Sequence, residues 1–263
     1  MARPERSYKM KLIRFALAGR VQHGSLEGDQ IQPLEGELHA LTAVPGARAI
    51  PLGSVKLLTP TAASKVVAIG PGRRRVLRAG AAPPERPTLY FKPSTAVNNP
   101  EDPIIFPPEL DYLNHEGEIG IVIGRLARRV KRESAAAHIL GYTCVNDVTA
   151  GELRKTVGTP MMFHAKAFDT FAPFGPMVVT DIDPSNLDTE CRVNGEVRVK
   201  ARTDDLIYSP DFLVSWISHI MTLLPGDVIS TGAPGVGPLK PGDVVEVEIE
   251  GIGCLRNPVI AGD

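Results

Sequence analysis

Proline and glycine interrupt this chain at short intervals, and this feature limits its possible folds more than any other. The 263 residues include 24 prolines and 25 glycines. Proline removes a backbone hydrogen-bond donor, and glycine favours turns, so both end regular elements. The segments between them are short and apolar, and strands outnumber helices among the elements they predict. We therefore predict an α+β fold built around a mixed, rolled sheet.

The clearest strand lies near the C-terminus, after a turn at Pro241-Gly242-Asp243. Apolar and acidic residues alternate strictly from 245 to 250, which is the pattern of a strand with one buried face. Other short apolar segments predict strands at 11–18, 66–69, 88–91, 104–106, 118–123 and 142–148. Two helices are expected, one over 134–140 that stops at Gly141 and one that begins at Ser209-Pro210. In the second, Phe212, Trp216 and Ile220 would share the buried face.

The overall charge excludes some classes of partner. The formal net charge is −1, so no global field attracts nucleic acid or an anionic membrane. The basic runs 73–75 and 125–132 are interpreted as solvated faces, with phosphate contacts as the alternative. The three cysteines, Cys144, Cys191 and Cys254, are widely spaced, which suits a reducing compartment. No segment has the length of a signal peptide or membrane span, so we expect a cytoplasmic enzyme.

Three carboxylates are candidate metal ligands. Glu116 and Glu118 are two residues apart, so on one strand both would point to the same side. Asp147 lies inside an apolar stretch, where an aspartate needs a partner or a metal. Oxygen ligands of this kind suit Mg²⁺ or Mn²⁺. The alternative is a solvated strand face, since Glu246 and Glu248 have the same spacing, but the segment after Glu118 is apolar and resembles a buried strand.

Two further features have both plain and functional interpretations. Lys166, in His164-Ala165-Lys166-Ala167-Phe168, is by spacing alone an exposed loop lysine. The glycine-rich segment 231–237 resembles a phosphate-binding loop, but neither a Lys-Ser/Thr pair nor a helix follows it. The nucleotide interpretation therefore fails, and a tight loop that brings Thr231 close to a small ligand remains possible.

Taken in order, these segments resemble the fumarylacetoacetate hydrolase family. The resemblance covers residues 61–263 well and rests on the motifs at 90–94, 114–124, 141–148, 166–171, 224–232 and 245–258. Residues 1–60 are similar to the small N-terminal β-rich domain of bacterial members. The resemblance implies a mixed β-sandwich roll, a homodimer, and one Mg²⁺ or Mn²⁺ in each active site.

The resemblance also assigns roles to individual residues. Glu116, Glu118 and Asp147 would bind the metal, and Lys166 would lie beside the metal and the substrate oxygens. The candidate substrate contacts are Thr231, Lys92 and Arg73.

One motif of the family is missing. After the strand at 66–69 the family typically shows Gly-x-Asn-Tyr-x-x-His-x-x-Glu, whose His and Glu activate water or relay a proton. Here Gly70 fits, but the positions of the His and the Glu hold Val76 and Ala79. His115 would face away from the metal, so His164 is the candidate replacement for acid–base chemistry, with a polar lining role as the alternative.

Hydrolysis of a carbon–carbon bond requires an activated water, so loss of the dyad disfavours it. We therefore expect a small 2-oxo acid or β-dicarbonyl substrate that reacts through an enolate, by decarboxylation or by keto–enol or double-bond isomerisation. A C–C bond hydrolase of the acylpyruvase type is the alternative. A repurposed member with a lid reshaped by Arg73 to Arg75, and a silent protein that only binds metal and ligand, are also open.

Overall fold

The computed structural model describes residues 10–157 and 162–263. Six strands form from the first 60 residues: β1 (Lys11–Leu17), β2 (Arg20–Glu27), β3 (Gln30–Glu35), β4 (Thr42–Ala43), β5 (Ile50–Pro51) and β6 (Lys56–Leu58). The first three pair in antiparallel order. Their apolar side chains Ile13, Phe15, Leu26 and Ile31 form a small buried cluster.

The remaining elements follow in three groups. The first contains β7 (Lys65–Gly70), β8 (Thr88–Pro93), β9 (Val97–Asn98), β10 (Ile104–Phe106), β11 (Leu113–His115) and β12 (Gly117–Ile123). The second contains α1 (Arg132–Ala135), β13 (Ile139–Asn146), β14 (Thr149–Ala150), α2 (Gly151–Val157), α3 (Phe163–Lys166) and β15 (Ala172–Val179). The third contains β16 (Asp188–Val193), β17 (Glu196–Arg202), α4 (Pro210–Ile220), β18 (Val228–Ser230), β19 (Gly237–Leu239), β20 (Val244–Ile249) and β21 (Gly253–Ala261).

The largest sheet has the strand order β4-β3-β2-β1-β15-β13-β12-β18-β7-β8, with three short strands attached beside it. Strands β7 and β18 are parallel neighbours, whereas β12 pairs antiparallel with both β13 and β18. The N-terminal strands join this sheet through β1 and β15. The first 60 residues thus extend the main sheet, and their status as a separate domain stays a prediction.

A second sheet, in the order β10-β21-β20-β16-β17, contributes to the same core. Ile119 and Ile121 of β12 belong to one buried cluster with Val247 of β20 and Leu255 of β21. Alternation along β20 buries its valine and isoleucine positions, as the sequence predicts. A third sheet, β14-β11-β19, is short. This sheet-rich α+β arrangement confirms the expected sandwich roll.

The predicted helix at 134–140 is wrong in its extent. Helix α1 ends at Ala135, a 3-10 turn covers Ala136–His138, and Ile139 already begins β13. Gly141 does not stop a helix; it lies in the strand, where a Cβ would be 2.3 Å from the carbonyl oxygen of Val179. Strand pairing therefore overrides the helical preference of the alanine run.

Helix α4 begins at Pro210 after Ser209, as predicted. Its buried stripe is formed by Leu213, Val214 and Ile217, while Ile220 is 56% exposed. The expected face is therefore displaced by about one residue. No helix in residues 10–157 and 162–263 is long and apolar enough to cross a membrane.

Candidate active site

Glu116, Glu118 and Asp147 converge at one point. Each offers a carboxylate oxygen, and these oxygens lie within 4.8 Å of one another. All three residues are buried, with exposed fractions of 7%, 1% and 1%. The convergence agrees with the sequence prediction, and the separation of these residues from the Glu246/Glu248 pair is clear, since Glu248 is exposed.

The route by which they converge differs from the expected one. Glu116 does not share a strand with Glu118, because it occupies the single position between β11 and β12. Asp147 follows the end of β13, which pairs antiparallel with β12 so that Gly117 faces Asn146. The backbone of Asp147 donates to the carbonyl of Glu116 at 2.9 Å, and the amide oxygen of Asn146 accepts from the Glu116 backbone at 3.0 Å. Two adjacent strand ends therefore deliver these ligands.

Glu118 is held by the loop that follows β18. Its Oε2 accepts from the Ser230 hydroxyl at 2.5 Å and from the backbone N–H of Gly232 at 2.5 Å. Burial, together with the nearby charges of Asp147 and Glu116, raises the pKa of Glu118 to about 8. Three carboxylates this close together repel one another, and a bound cation would relieve that repulsion.

The ammonium group of Lys166 lies within this cluster, so this lysine is not the exposed loop residue of the plain interpretation. Its Nζ is 2.5 Å from Asp147 Oδ2 and 3.4 Å from Glu116 Oε2, and it donates to the Thr149 hydroxyl at 2.8 Å. Burial alone would lower the pKa of Lys166, but Asp147 and Glu116 outweigh it and raise this pKa. Burial would likewise raise the pKa of Asp147, and the two neighbouring lysines lower it instead.

Lys92 is the second of those lysines, and it lies behind the cluster. It is fully buried, and its Nζ is 2.8 Å from Asp147 Oδ1. It also donates to the carbonyl oxygens of Val148, Lys166 and Phe171 at 2.7, 3.1 and 2.7 Å. The protein itself therefore uses the donors of this ammonium, in place of the substrate contact expected from the sequence.

Arg73 is also fully buried, unlike the exposed Arg74 and Arg75. Its guanidinium donates to the carbonyl oxygens of Gly232 and Arg202 at 3.0 and 2.8 Å and to Asp205 at 2.7 Å. The structure gives it a role in fixing the loop at Gly232, so the solvated-face interpretation of this residue is wrong. Arg73 is not among the residues that line the cavity beside the carboxylates.

Two other expected site residues do not face that cavity. The hydroxyl of Thr231 donates to the carbonyl of Ile119 at 2.7 Å, and this residue is 1% exposed. The neighbouring Gly232 and Ala233 line the cavity in its place. His164 is exposed on α3, where its ring packs near that of Phe163. Proximity to Lys166 in sequence did not bring its imidazole to the site, because the two side chains leave a one-turn helix in different directions.

The cavity has a volume of about 520 Å³ and contains residues that sequence reasoning missed. Arg154 lines it and donates to Glu116 Oε1 at 3.1 Å. Tyr90 also lines it, with Lys166 Nζ 6.0 Å from the centre of its ring. Tyr90 belongs to a motif that the sequence comparison used, whereas only the three-dimensional packing of α2 identifies Arg154.

The positions of the missing dyad lie at the mouth of this cavity. Val76 lines it, whereas Ala79 is exposed. The 3-10 turn Arg74–Val76 ends at Leu77, whose backbone is extended (φ −73°, ψ 152°). Among the described residues, no histidine lines the cavity. His115 is buried on the far side, with Nδ1 3.1 Å from the Cys191 sulfur.

The chemistry of the carboxylate cluster fits a hard divalent cation. All three candidate ligands are oxygens, and two of the residues are almost inaccessible to water. Such donor sets suit Mg²⁺ or Mn²⁺ better than soft metals. The three negative charges are matched by the cations of Lys92, Arg154 and Lys166. A divalent cation would therefore leave the site with an excess of two positive charges.

Comparisons with known proteins agree with the fold and with this site. Residues 65–260 match the family described as fumarylacetoacetate (FAA) hydrolase C-terminal, and residues 10–60 match Rv2993c-like, N-terminal. A crystal structure of 2-hydroxyhepta-2,4-diene-1,7-dioate isomerase from Mycobacterium marinum is 40% identical, with a TM-score of 0.88 over 96% of this chain and 98% of that chain.

Two further relatives bear on the chemistry. Maleylpyruvate hydrolase from Sphingobium sp. SYK-6, in complex with manganese (II) ion and pyruvate, is 30% identical, with a TM-score of 0.77 over 97% of this chain and 100% of that chain. Mitochondrial oxaloacetate tautomerase FAHD2A of Bos taurus is 38% identical over 194 residues, which are 72% of this chain and 62% of that protein. The chain belongs to the fumarylacetoacetate hydrolase family, whose members are enzymes.

Proposed function

We propose that this protein is a divalent-metal-dependent enzyme that converts a small 2-oxo acid or β-dicarbonyl compound through its enolate, by decarboxylation or by keto–enol or double-bond isomerisation. The observation that carries this proposal is the convergence of Glu116, Glu118 and Asp147 around the ammonium of Lys166. Oxygen ligands and a fixed cation at one wall of a cavity are suited to an enolate oxygen.

Each residue has a definite part in this proposal. The three carboxylates would hold Mg²⁺ or Mn²⁺, which supplies Lewis-acid polarisation of the substrate carbonyl when bound. Lys166 remains protonated, because its pKa is raised, so it donates a hydrogen bond or a proton to the oxygen that gains charge and does not act as a base. Lys92 fixes Asp147 and the end of α3 from behind. Ile69, Val76, Met162 and Val236 line the cavity and exclude water.

The lining of the cavity favours enolate chemistry over hydrolysis. The titratable side chains there are Tyr90, Glu116, Asp147, Arg154 and Lys166. Two are the proposed metal ligands and two are cations, so a free base for activating water is absent from the described lining. Decarboxylation and isomerisation need a stabilised enolate and a proton donor, which these residues provide. The names of the isomerase and tautomerase relatives support this choice.

A C–C bond hydrolase is the second candidate. The maleylpyruvate hydrolase relative supports it, because this chain covers all of that structure. Hydrolysis would require a base that approaches from outside the described lining, and exposed His164, two positions before Lys166, is the residue to examine first.

The test compares three reactions in protein stripped of metal and then supplied with Mg²⁺ or Mn²⁺. We expect metal-dependent decarboxylation or enol–keto conversion of oxaloacetate and much slower hydrolysis of an acylpyruvate. Rapid acylpyruvate hydrolysis would favour the second candidate. If no reaction proceeds although Mn²⁺ and oxalate bind, the protein is a silent binder of the kind that its sequence left open. Equal rates with and without metal would contradict the proposal.

A further inference from the structure

We propose that Arg154 selects 2-oxo dicarboxylic acids by binding the carboxylate at the far end of the substrate. This inference rests on the proposed function and names its substrate class. Arg154 lines the same cavity as Lys166, yet it extends from a different helix, α2. The enolate chemistry described above does not use its guanidinium.

Arg154 and Lys166 flank a single carboxylate. Arg154 Nη1 is 3.1 Å from Glu116 Oε1, and Lys166 Nζ is 3.4 Å from Glu116 Oε2. The two cations are thus separated by about the width of one carboxylate group, so a compact ligand can contact both. The side chain of Lys166 is 4% exposed, whereas that of Arg154 is 42% exposed. Lys166 belongs to the inner wall of the cavity and Arg154 to its accessible side.

The start of α2 is fixed where Arg154 needs it. Gly151, three residues before Arg154, has no side chain, and a Cβ there would be 2.0 Å from the ring of Tyr112. The backbone N–H of Gly151 donates to the carbonyl of Tyr112 at 3.2 Å. The ammonium of Lys155 lies 5.1 Å from the centre of the same ring. One turn of helix therefore projects Arg154 from an anchored base, with the ring of Tyr112 in the space that a side chain would fill.

The charge of the site indicates the class of ligand. The three carboxylates are already balanced by Lys92, Arg154 and Lys166, so a divalent cation leaves an excess of two positive charges. A 2-oxo monocarboxylate would neutralise only half of this excess, whereas a 2-oxo dicarboxylate neutralises all of it. Arginine suits the second carboxylate, since its planar guanidinium can donate two parallel hydrogen bonds.

The test uses two pairs of ligands that differ only in the terminal group, a methyl or a carboxylate. These are 2-oxobutyrate with oxaloacetate, and 2-oxovalerate with 2-oxoglutarate. Their dissociation constants are measured by calorimetry with Mn²⁺-loaded wild type, Arg154→Gln and Arg154→Lys. Lys155→Gln is the matched control, because it removes the same charge from the next residue of α2. Mn²⁺ affinity and the melting temperature of each variant are measured separately.

In Arg154→Gln we expect the better-binding dicarboxylate to lose about 10- to 100-fold in affinity, the usual loss for a charge-assisted hydrogen bond. Its monocarboxylate partner should change less than about threefold by the same reasoning. Arg154→Lys should recover part of the loss, and Lys155→Gln should resemble wild type. Equal losses for both members of a pair would show that Arg154 acts only through Glu116, and would overturn the inference.

Unchanged dicarboxylate binding in Arg154→Gln would overturn it as well. A different result marks failure of the proposed function itself: wild-type protein that binds neither member of either pair, with or without Mn²⁺. That outcome would remove the basis for the inference at the same time. Because ligand binding and Mn²⁺ binding are measured without turnover, the two failures are distinguishable.

Discussion

Gly72 and Gly232 are in backbone contact across the mouth of the active site. A Cβ on Gly72 would be 2.0 Å from the carbonyl oxygen of Thr231 and 2.7 Å from the Cα of Gly232. Gly232 in turn donates its N–H to Glu118. The segment after β7 therefore determines how a candidate metal ligand is held, although it contributes no ligand.

We predict that Gly72→Ala weakens metal binding. The new methyl group meets backbone atoms that cannot rotate away, so the loop at Gly232 must move and its hydrogen bond to Glu118 lengthens. Overpacking of this kind costs about 1–3 kcal/mol, and loss of an outer-shell partner lowers metal affinity about 10- to 100-fold. Titration with Mn²⁺ and denaturant unfolding measure the two effects. Gly53→Ala is the control, since nothing lies within 4 Å of its Cβ position. Wild-type Mn²⁺ affinity in Gly72→Ala would refute this coupling.

Replacing Lys92 by methionine should destabilise the protein rather than only weaken substrate binding. The change leaves Asp147 and three carbonyl oxygens without a buried donor. Breaking a buried ion pair from one side costs about 3–5 kcal/mol. Urea unfolding in the presence of a chelator measures the loss. An unchanged free energy of unfolding, combined with a raised KM, would instead support the direct substrate contact that the sequence predicts.

Metal affinity should depend on pH through Glu118. Because the pKa of this carboxyl is raised to about 8 in the cation-free protein, a proton and a divalent cation compete for it below that pH. The apparent Mn²⁺ affinity should therefore rise about tenfold per pH unit up to about pH 8 and level off above it. A raised acid pKa also stabilises the cation-free fold at low pH, and this contribution disappears as the pH rises through about 8. Glu118→Gln should bind Mn²⁺ more weakly and without this step. A flat profile in wild type would contradict the assignment.

Reinstalling the missing dyad should not create an efficient hydrolase. Val76→His places an imidazole at the cavity mouth, but Leu77 leaves the helical conformation. Residue 79 is therefore not one helical turn from residue 76, and Ala79→Glu cannot orient the imidazole. We expect Val76→His and the double variant to hydrolyse an acylpyruvate at similar rates. A gain of 10²-fold or more for the double variant alone, the usual contribution of acid–base groups, would show that this segment becomes helical in the working enzyme.

Sequence alone predicted the strands of the core and the three carboxylates, because both depend on local pattern. The apolar run after Glu118 does form a fully buried strand, and alternation correctly oriented β20. Local reasoning went wrong where pairing decides the conformation. Ile139 and Gly141 join β13 although the preceding alanines favour a helix, and Glu116 reaches the site from between two strands.

The charged residues around the carboxylates were harder to predict for a related reason. Three successive arginines read alike in sequence, yet Arg73 is buried against Gly232 and Asp205 while its two neighbours are exposed. Arg154 carries no motif, and only the packing of Gly151 on Tyr112 directs it towards Glu116. His164 had the right position in sequence and is exposed. Each outcome depends on contacts between residues far apart in the chain.

The parallel pairing of β7 with β18 has a consequence for how this enzyme can be altered. Neighbouring parallel strands end at the same edge of a sheet, so their following loops compete for one space, and here glycine meets glycine. The asparagine and tyrosine that the family motif has at positions 72 and 73 are replaced by Gly72 and Arg73. An asparagine at position 72 would act as a wedge between two strand ends. Grafting the family motif into this chain therefore means redesigning the opposite loop at the same time, since the two loops form one structural unit.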